Sequence, residues 1–491
     1  MEEKSANIEN LKQKAVKSVF WVYVSIITLK SLGMLTSLVL AKILFPQDFG
    51  LIALATIIVG FLQTTAMLGL NIAIIQKYKL NKDTISTCFF YTCCMGIGIT
   101  LLTIGGAHFI SEFYKSEQLK RVIQWLSLTI LFSTMSAVPS SLLEKNFSFK
   151  KRSISEILPQ VIYATVSISL AYYGMGVMSI VFGQIIARAA EMILIFFLQP
   201  LELVWKVNFK IFKEMFSYGK ELLFLSYLTY FILNFDNLFV GKVLGAVQLG
   251  FYAVAYTIAN APATHITNVI QRVSFPFYAQ VQSDKVLLQK GFLKALAFTF
   301  FFSIPLMFGI IFFGKFILYS LYQEKWLSIV VPLQVLSVMG FLRGLGANCN
   351  SFFCAIGKPE KARNTTLLMV MMMILFIYPL TQWLGITGTA VCILILATTS
   401  SSILLYWTMR ELEIRMQQIM DIVKIFAGST FFTMIVLFIL KAFVFKNANV
   451  LNAAGFVSSA ILVYCWSVYY LDKTCILQMR LIKTYFQAEG K

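Results

Sequence analysis

The chain has 491 residues, 58% of them hydrophobic and only 13% charged, about half the roughly 25% charged share of an ordinary soluble domain. With apolar runs following one another almost end to end, that composition excludes a soluble enzyme or binding module and leaves an integral membrane protein. The formal charge of +19 does not indicate nucleic acid, because the basic residues are dispersed among short loops and form no recognition motif.

In chain order, residues 1–17 are polar and mixed in charge, and no small-residue cleavage site follows the first apolar run, so no removable signal peptide is expected. Apolar runs between charged punctuation predict helices over 18–43, 50–75, 85–107, 120–142, 156–173 and 176–198. They continue over 219–244, 248–274, 292–313, 328–353, 364–384, 386–409, 422–445 and 451–471. The reading is an all-α integral membrane protein of about fourteen transmembrane helices. An even count puts both termini on one side, and the basic residues say which. Lys145, Lys150, Lys151 and Arg152 in one loop, and Lys206, Lys210 and Lys213 in another, belong to the side that holds about three times as many Lys and Arg as the other, so both termini are expected in the cytoplasm.

The chain also repeats itself. Residues 41–53, AKILFPQDFGLIA, align without gaps on 241–253, GKVLGAVQLGFYA, and share Lys42/Lys242, Leu44/Leu244, Gly50/Gly250 and Ala53/Ala253. Six predicted helices separate the copies, so both run the same way through the membrane and the repeat is parallel. The expected organisation is a cytoplasmic segment 1–17, an N-lobe 18–198, a linker 199–218, a C-lobe 219–409, two extra helices 410–471 and a tail 472–491. A central cavity would lie between the six-helix lobes.

Ionisable groups at bilayer depth cost at least about 2.5–3.5 kcal/mol each on insertion scales, so those that persist usually face a bundle interior or a watery cavity. Lys30 falls at the middle of the first helix, about 18 Å from either end and too deep for easy snorkelling. Arg188 and Glu191 stand three apart on the sixth helix, where they either neutralise each other or serve a ligand. Arg343 lies in GFLRGLGANCN, with Asn348 and Asn350 as polar edges. Lys30, Arg188 and Arg343 are the candidate substrate-binding cations; Glu191, Asn260, Asn348 and Asn350 are polar cavity candidates. Asp236, in NFDN with Asn234 and Asn237, suits coupling to Na+ or H+, since hard cations take carboxylate and amide oxygens. The alternative for Asp236 is a salt bridge to an intramembrane cation.

Nothing points to catalysis. GIIFFGK at 309–315 has the glycine and lysine spacing of a phosphate loop but continues with Phe316 and sits at the end of a span. His108 and His265 are isolated, and no HExxH, GxSxG or paired acids occur. Eight cysteines, several inside apolar runs and without metal-ligand spacing, read as small buried hydrophobes. No catalytic residue, metal site or cofactor is expected.

The segment LAKILFPQDFGLIALATIIVGFLQTTAMLGLNIAIIQK at 40–77 resembles the polysaccharide exporters of the multidrug/oligosaccharidyl-lipid/polysaccharide superfamily, proteins like the colanic acid and teichuronic acid exporters. DNLFVGKVLGAVQLGFYAVAYTIANAP at 236–262 and RVSFPFYAQVQSD at 272–284 extend the likeness. It departs at TTAMLGL, which lacks the acid often found before the Gly-Leu. The resemblance implies two six-helix lobes in a V plus two helices, in the inner membrane of a bacterium. It also implies that an undecaprenyl-diphosphate-linked oligosaccharide moves from the inner to the outer leaflet, alongside polysaccharide polymerase and glycosyltransferase machinery. Two rivals are a cation-coupled multidrug exporter of the same superfamily, which would want acids dominating its cavity, and a membrane enzyme acting on lipid-linked sugars, which would want catalytic acids outside.

Overall fold

A computed structural model describes residues 2–76, 80–146, 148–204, 207–444 and 450–474, and no strand occurs among them. They form two compact units, 1–250 and 251–491.

In the first unit α1 (Glu2–Ile43) ends where Pro46 opens α2 (Pro46–Ala66), and the Phe45 N–H donates to Asp48 Oδ2 at 2.9 Å. Proline at the first helical position and an acid in the first turn make a local start signal. The single helix expected over 50–75 is broken: Leu68 and Gly69 take φ of 53° and 68° before α3 (Leu70–Gln76). A leucine in the left-handed region is strained. Leu68 is held there by burial among Leu70, Ile74, Val138, Leu142 and Met215. After α4 (Lys82–Phe113), α5 (Glu117–Leu126) and α6 (Leu128–Lys145) follow one another through Ser127, whose φ of −58° and ψ of −25° stay helical, as one apolar stretch over the helix expected at 120–142. Leu119, Val122, Ile123 and Leu126 bury one face of α5 while Glu117, Gln118 and Arg121 stay exposed, so α5 is amphipathic. α7 (Phe149–Tyr172) and α8 (Val177–Leu198) follow, then α9 (Phe209–Val243), which packs on α2, α3 and α4.

α10 (Gly245–Gln280) begins in the first unit and continues into the second. Its start meets the start of α2 reciprocally: a Cβ on Gly50 would stand 1.7 Å from the Ala246 carbonyl oxygen, and one on Gly250 would stand 1.7 Å from the Pro46 oxygen. Pairs 46/246 and 50/250 are equivalent in the sequence repeat, so the two copies touch about a local two-fold axis, each patch facing its own counterpart. Only glycine permits that backbone approach, as in other small-residue helix contacts in membranes.

The second unit holds α11 (Lys285–Tyr322), a 3₁₀ turn (Gln323–Ile329), α12 (Val330–Ala355), α13 (Pro359–Leu412), α14 (Met416–Phe443) and α15 (Val450–Thr474). A straight α13 of 54 residues would run about 81 Å, far beyond roughly 30 Å of hydrocarbon. It folds back at Gly385 (φ 58°, ψ −139°), between the two helices expected over 364–384 and 386–409, and Thr381 and Thr389 share a 2.8 Å hydrogen bond across the bend. The core of this unit is aromatic, with Phe292, Phe300, Phe352, Phe353 and Tyr278 all nearly fully buried. Among the described residues nine helical stretches are long and apolar enough to cross a membrane.

Candidate functional site

Of the three cations expected at bilayer depth, Lys30 alone is exposed with no hydrogen bond or ion pair among the described residues. α1 meets α7 through Ser153 Oγ donating to the Trp21 carbonyl (3.0 Å) and Ser25 Oγ donating to Glu156 Oε2 (2.8 Å). Nine residues at 100° each put Lys30 about 180° around the helix from Trp21. It therefore stands away from that polar seam.

Arg188 is engaged, its Nη1 donating to Glu191 Oε2 at 2.6 Å. Glu191 belongs to a larger network that the sequence reading did not anticipate. Arg152, 21% exposed, lies within 3.0 Å of Glu156, 3.5 Å of Glu144 and 3.7 Å of Glu191. α6, α7 and α8 thus converge on one guanidinium, with three carboxylates against Arg152 and Arg188. The spacing of Arg152 and Glu156 was readable as a helical i,i+4 pair; the partners from the other helices were not. Excess negative charge here makes Arg188 a weaker anion site than Lys30.

Asp236 is 3% exposed, and its Oδ1 accepts the Asn237 backbone N–H at 2.8 Å and the Asn237 amide at 3.1 Å. Asn234 does not join them; its amide donates to the Tyr230 carbonyl at 2.8 Å. Beside this stretch Tyr230 donates to the Ile57 carbonyl at 2.8 Å, and Gly60 makes the room for it. Tyr227 donates to Thr65 at 2.9 Å. These contacts seat α9 on α2 and leave a cavity of about 480 Å³ beside the α2/α3 break. The end of α3 is closed by Lys145, whose ammonium donates to the Ile74 and Ile75 carbonyls at 3.1 and 3.2 Å.

In the second unit Arg343, half-buried on α12, donates to Tyr256 Oη at 2.6 Å. Asn348 is fully buried and donates to Thr299 Oγ1 (2.7 Å) and to the Gly344 carbonyl (2.9 Å), which makes it a packing residue of α11 and α12. Asn350 is exposed and accepts from Cys354 Sγ at 3.5 Å; Asn260 is half-buried on α10. Among the described residues Arg343 therefore has a neutral partner, whereas Arg188 has an anionic one. Among the described residues no group of three His, Cys, Asp or Glu is placed to hold a metal ion.

A 2.6 Å ion pair also joins Lys285, at the start of α11, to Glu413, just past α13. The Lys285 ammonium, hydrogen-bonded to the Glu413 carboxylate, holds that carboxyl below its usual range.

The family described as polysaccharide biosynthesis protein matches residues 39–331, more than half of the chain. An uncharacterized membrane protein in the cps region of Klebsiella pneumoniae is 28% identical over 394 residues, covering 79% of this chain and 80% of that one. The lipopolysaccharide biosynthesis protein WzxC of Escherichia coli strain K12 is 24% identical over 348 residues, covering 70% and 71%. Among solved structures, the lipid II flippase MurJ in an inward closed conformation superposes with a TM-score of 0.74 at 15% identity, over 94% of this chain and 99% of that one. At that identity the likeness speaks for fold alone. The chain belongs to the polysaccharide biosynthesis protein family, and its described residues form an all-helical fold with helices long and apolar enough to cross a membrane.

Proposed function

We propose that this protein moves an undecaprenyl-diphosphate-linked oligosaccharide from the inner to the outer leaflet of a bacterial cell membrane, for assembly of a cell-surface polysaccharide. The observation that carries the reading is Lys30: an exposed ammonium within the apolar span Val24–Ile43 of α1, with no anionic partner among the described residues. A diphosphate of about −2 charge entering a low-dielectric space needs such a partner. Arg343, held among the described residues by the Tyr256 phenol, is the second cation suited to it. Arg188 joins the set only by exchanging Glu191 for phosphate.

The charge bias of the loops supports fourteen crossings with both termini cytoplasmic. A membrane potential of about 100 mV, negative inside, favours outward movement of an anion by about 2.3 kcal/mol per charge, so the forward step needs no pump. Binding of Na+ or H+ at Asp236, with Asn237 beside it, would reset the empty carrier. Polymerase and glycosyltransferase machinery would act before and after the step. The test is surface polysaccharide in cells carrying Lys30→Ala or Arg343→Ala at normal membrane levels. Both should lose it; normal polysaccharide in both overturns the cation assignment.

A further inference from the structure

The cavity between the α2/α3 break and α9 has a chemistry that the cations do not explain. Its volume, about 480 Å³, lies within the range of roughly 300–1,000 Å³ typical of small-molecule sites. Thr64, Asn71, Ser226, Thr229 and Tyr230 contribute hydroxyl and amide groups to its wall, and among the described lining residues none is charged. The Asn71 amide makes no hydrogen bond among the described residues. The rings of Phe61, Tyr227 and Tyr230 gather beside it, with centroids 5.0 and 6.0 Å apart. Met67 and Gly69 bring the non-helical backbone itself to the wall. Irregular backbone at membrane depth is tolerated where it lines a cavity, and broken helices mark binding sites in transporters.

We propose that this pocket is a subsite for an uncharged sugar residue of the transported glycan, a reading that rests on the proposed function. The described wall disfavours a diphosphate, because none of its residues offers a counter-charge. A polyprenyl chain is a poor occupant because it leaves the Asn71 amide facing hydrocarbon. A pyranose meets both halves of the wall: its hydroxyls exchange hydrogen bonds with Asn71 and the Thr and Ser groups, and its C–H face lies on the rings. The glycan would thus be held in this pocket while the diphosphate is held at the cations.

The experiment measures binding to the purified full chain in nanodiscs of two probes: lipid-linked repeat units extracted from cells that make the polysaccharide, and synthetic undecaprenyl diphosphate without sugar. Asn71→Ala removes an uncharged hydrogen-bonding group, and should weaken the glycosylated probe about fivefold and leave the sugar-free probe unchanged. Leu233→Trp, at a wall position that is 43% exposed and so tolerant of bulk, should narrow the pocket and weaken the glycosylated probe about tenfold or more. Equal weakening of both probes, or of neither, in both variants overturns the subsite. A wild-type chain that binds neither probe overturns the flippase reading itself, a result distinguishable from loss of the subsite alone.

Discussion

The reciprocal contact of Gly50 and Gly250 gives a prediction with an unusual sign. In Gly50→Ala the new Cβ would begin 1.7 Å from the Ala246 carbonyl oxygen, whereas carbon and carbonyl oxygen ordinarily approach to about 3.3–3.6 Å. The helix starts must therefore separate by about 1.6 Å or more. No side chain can absorb the clash, since the opposing atom is backbone. Overpacking costs roughly 1–3 kcal/mol, and a backbone clash belongs at the upper end, about 3 kcal/mol. Alanine recovers about 1 kcal/mol as a better helix former, so each of Gly50→Ala and Gly250→Ala should destabilise by about 2 kcal/mol. The separation is needed only once. The double variant should then lose only about 1 kcal/mol, not the sum of about 4, a coupling of about 3 kcal/mol in a double-mutant cycle. Thermal unfolding of the purified protein reads this: with roughly 2.1 cal/mol/K of unfolding entropy per residue, each single variant falls by about 2 °C, and the double by less. Single variants that match the wild type, or a double variant that loses the sum, refute the argument.

Other expectations follow from the polar contacts. Arg152→Ala leaves Glu144, Glu156 and Glu191 without the guanidinium they share. Discounted for the partial exposure of the carboxylates, the cost should be about 2 kcal/mol, and Arg152→Lys should restore part of it in denaturant unfolding. Tyr256→Phe removes the 2.6 Å hydrogen bond to Arg343; a bond to a charged group is worth about 1.5 kcal/mol or more, so export should fall while Lys30-dependent binding of sugar-free polyprenyl diphosphate persists. Glu413 has a depressed pKa in the folded state. Its contribution is present above the unfolded carboxylate value and is lost as pH falls through the lower folded value. An acid titration of Tm should therefore show a loss below about pH 4 that Lys285→Gln lacks; identical curves would contradict the pairing.

Much of the architecture was legible in hydropathy and punctuation. The return at Gly385 lies between two expected helices, and the repeat around Gly50 and Gly250 became a physical contact because the aligned glycines are where backbones meet. The break at Leu68 was not legible, because TTAMLGL stays apolar and a hydropathy average passes over one irregular turn. At the site, helical spacing was enough to anticipate Arg188 with Glu191. The same spacing could have flagged Arg152 with Glu156, but Glu144 and Glu191 reach that guanidinium from other helices. Tyr256 as the partner of Arg343, 87 residues away, had no local signal.

The central claim is tested most directly by reconstituting the purified chain in proteoliposomes with an extracted lipid-linked oligosaccharide, and following leaflet exchange by access of a membrane-impermeant sugar-modifying enzyme. Wild-type protein should speed exchange well above protein-free vesicles, and Lys30→Ala, present at equal density, should abolish that gain. Exchange no faster than in protein-free vesicles with the wild type, or undiminished with Lys30→Ala, would contradict the account.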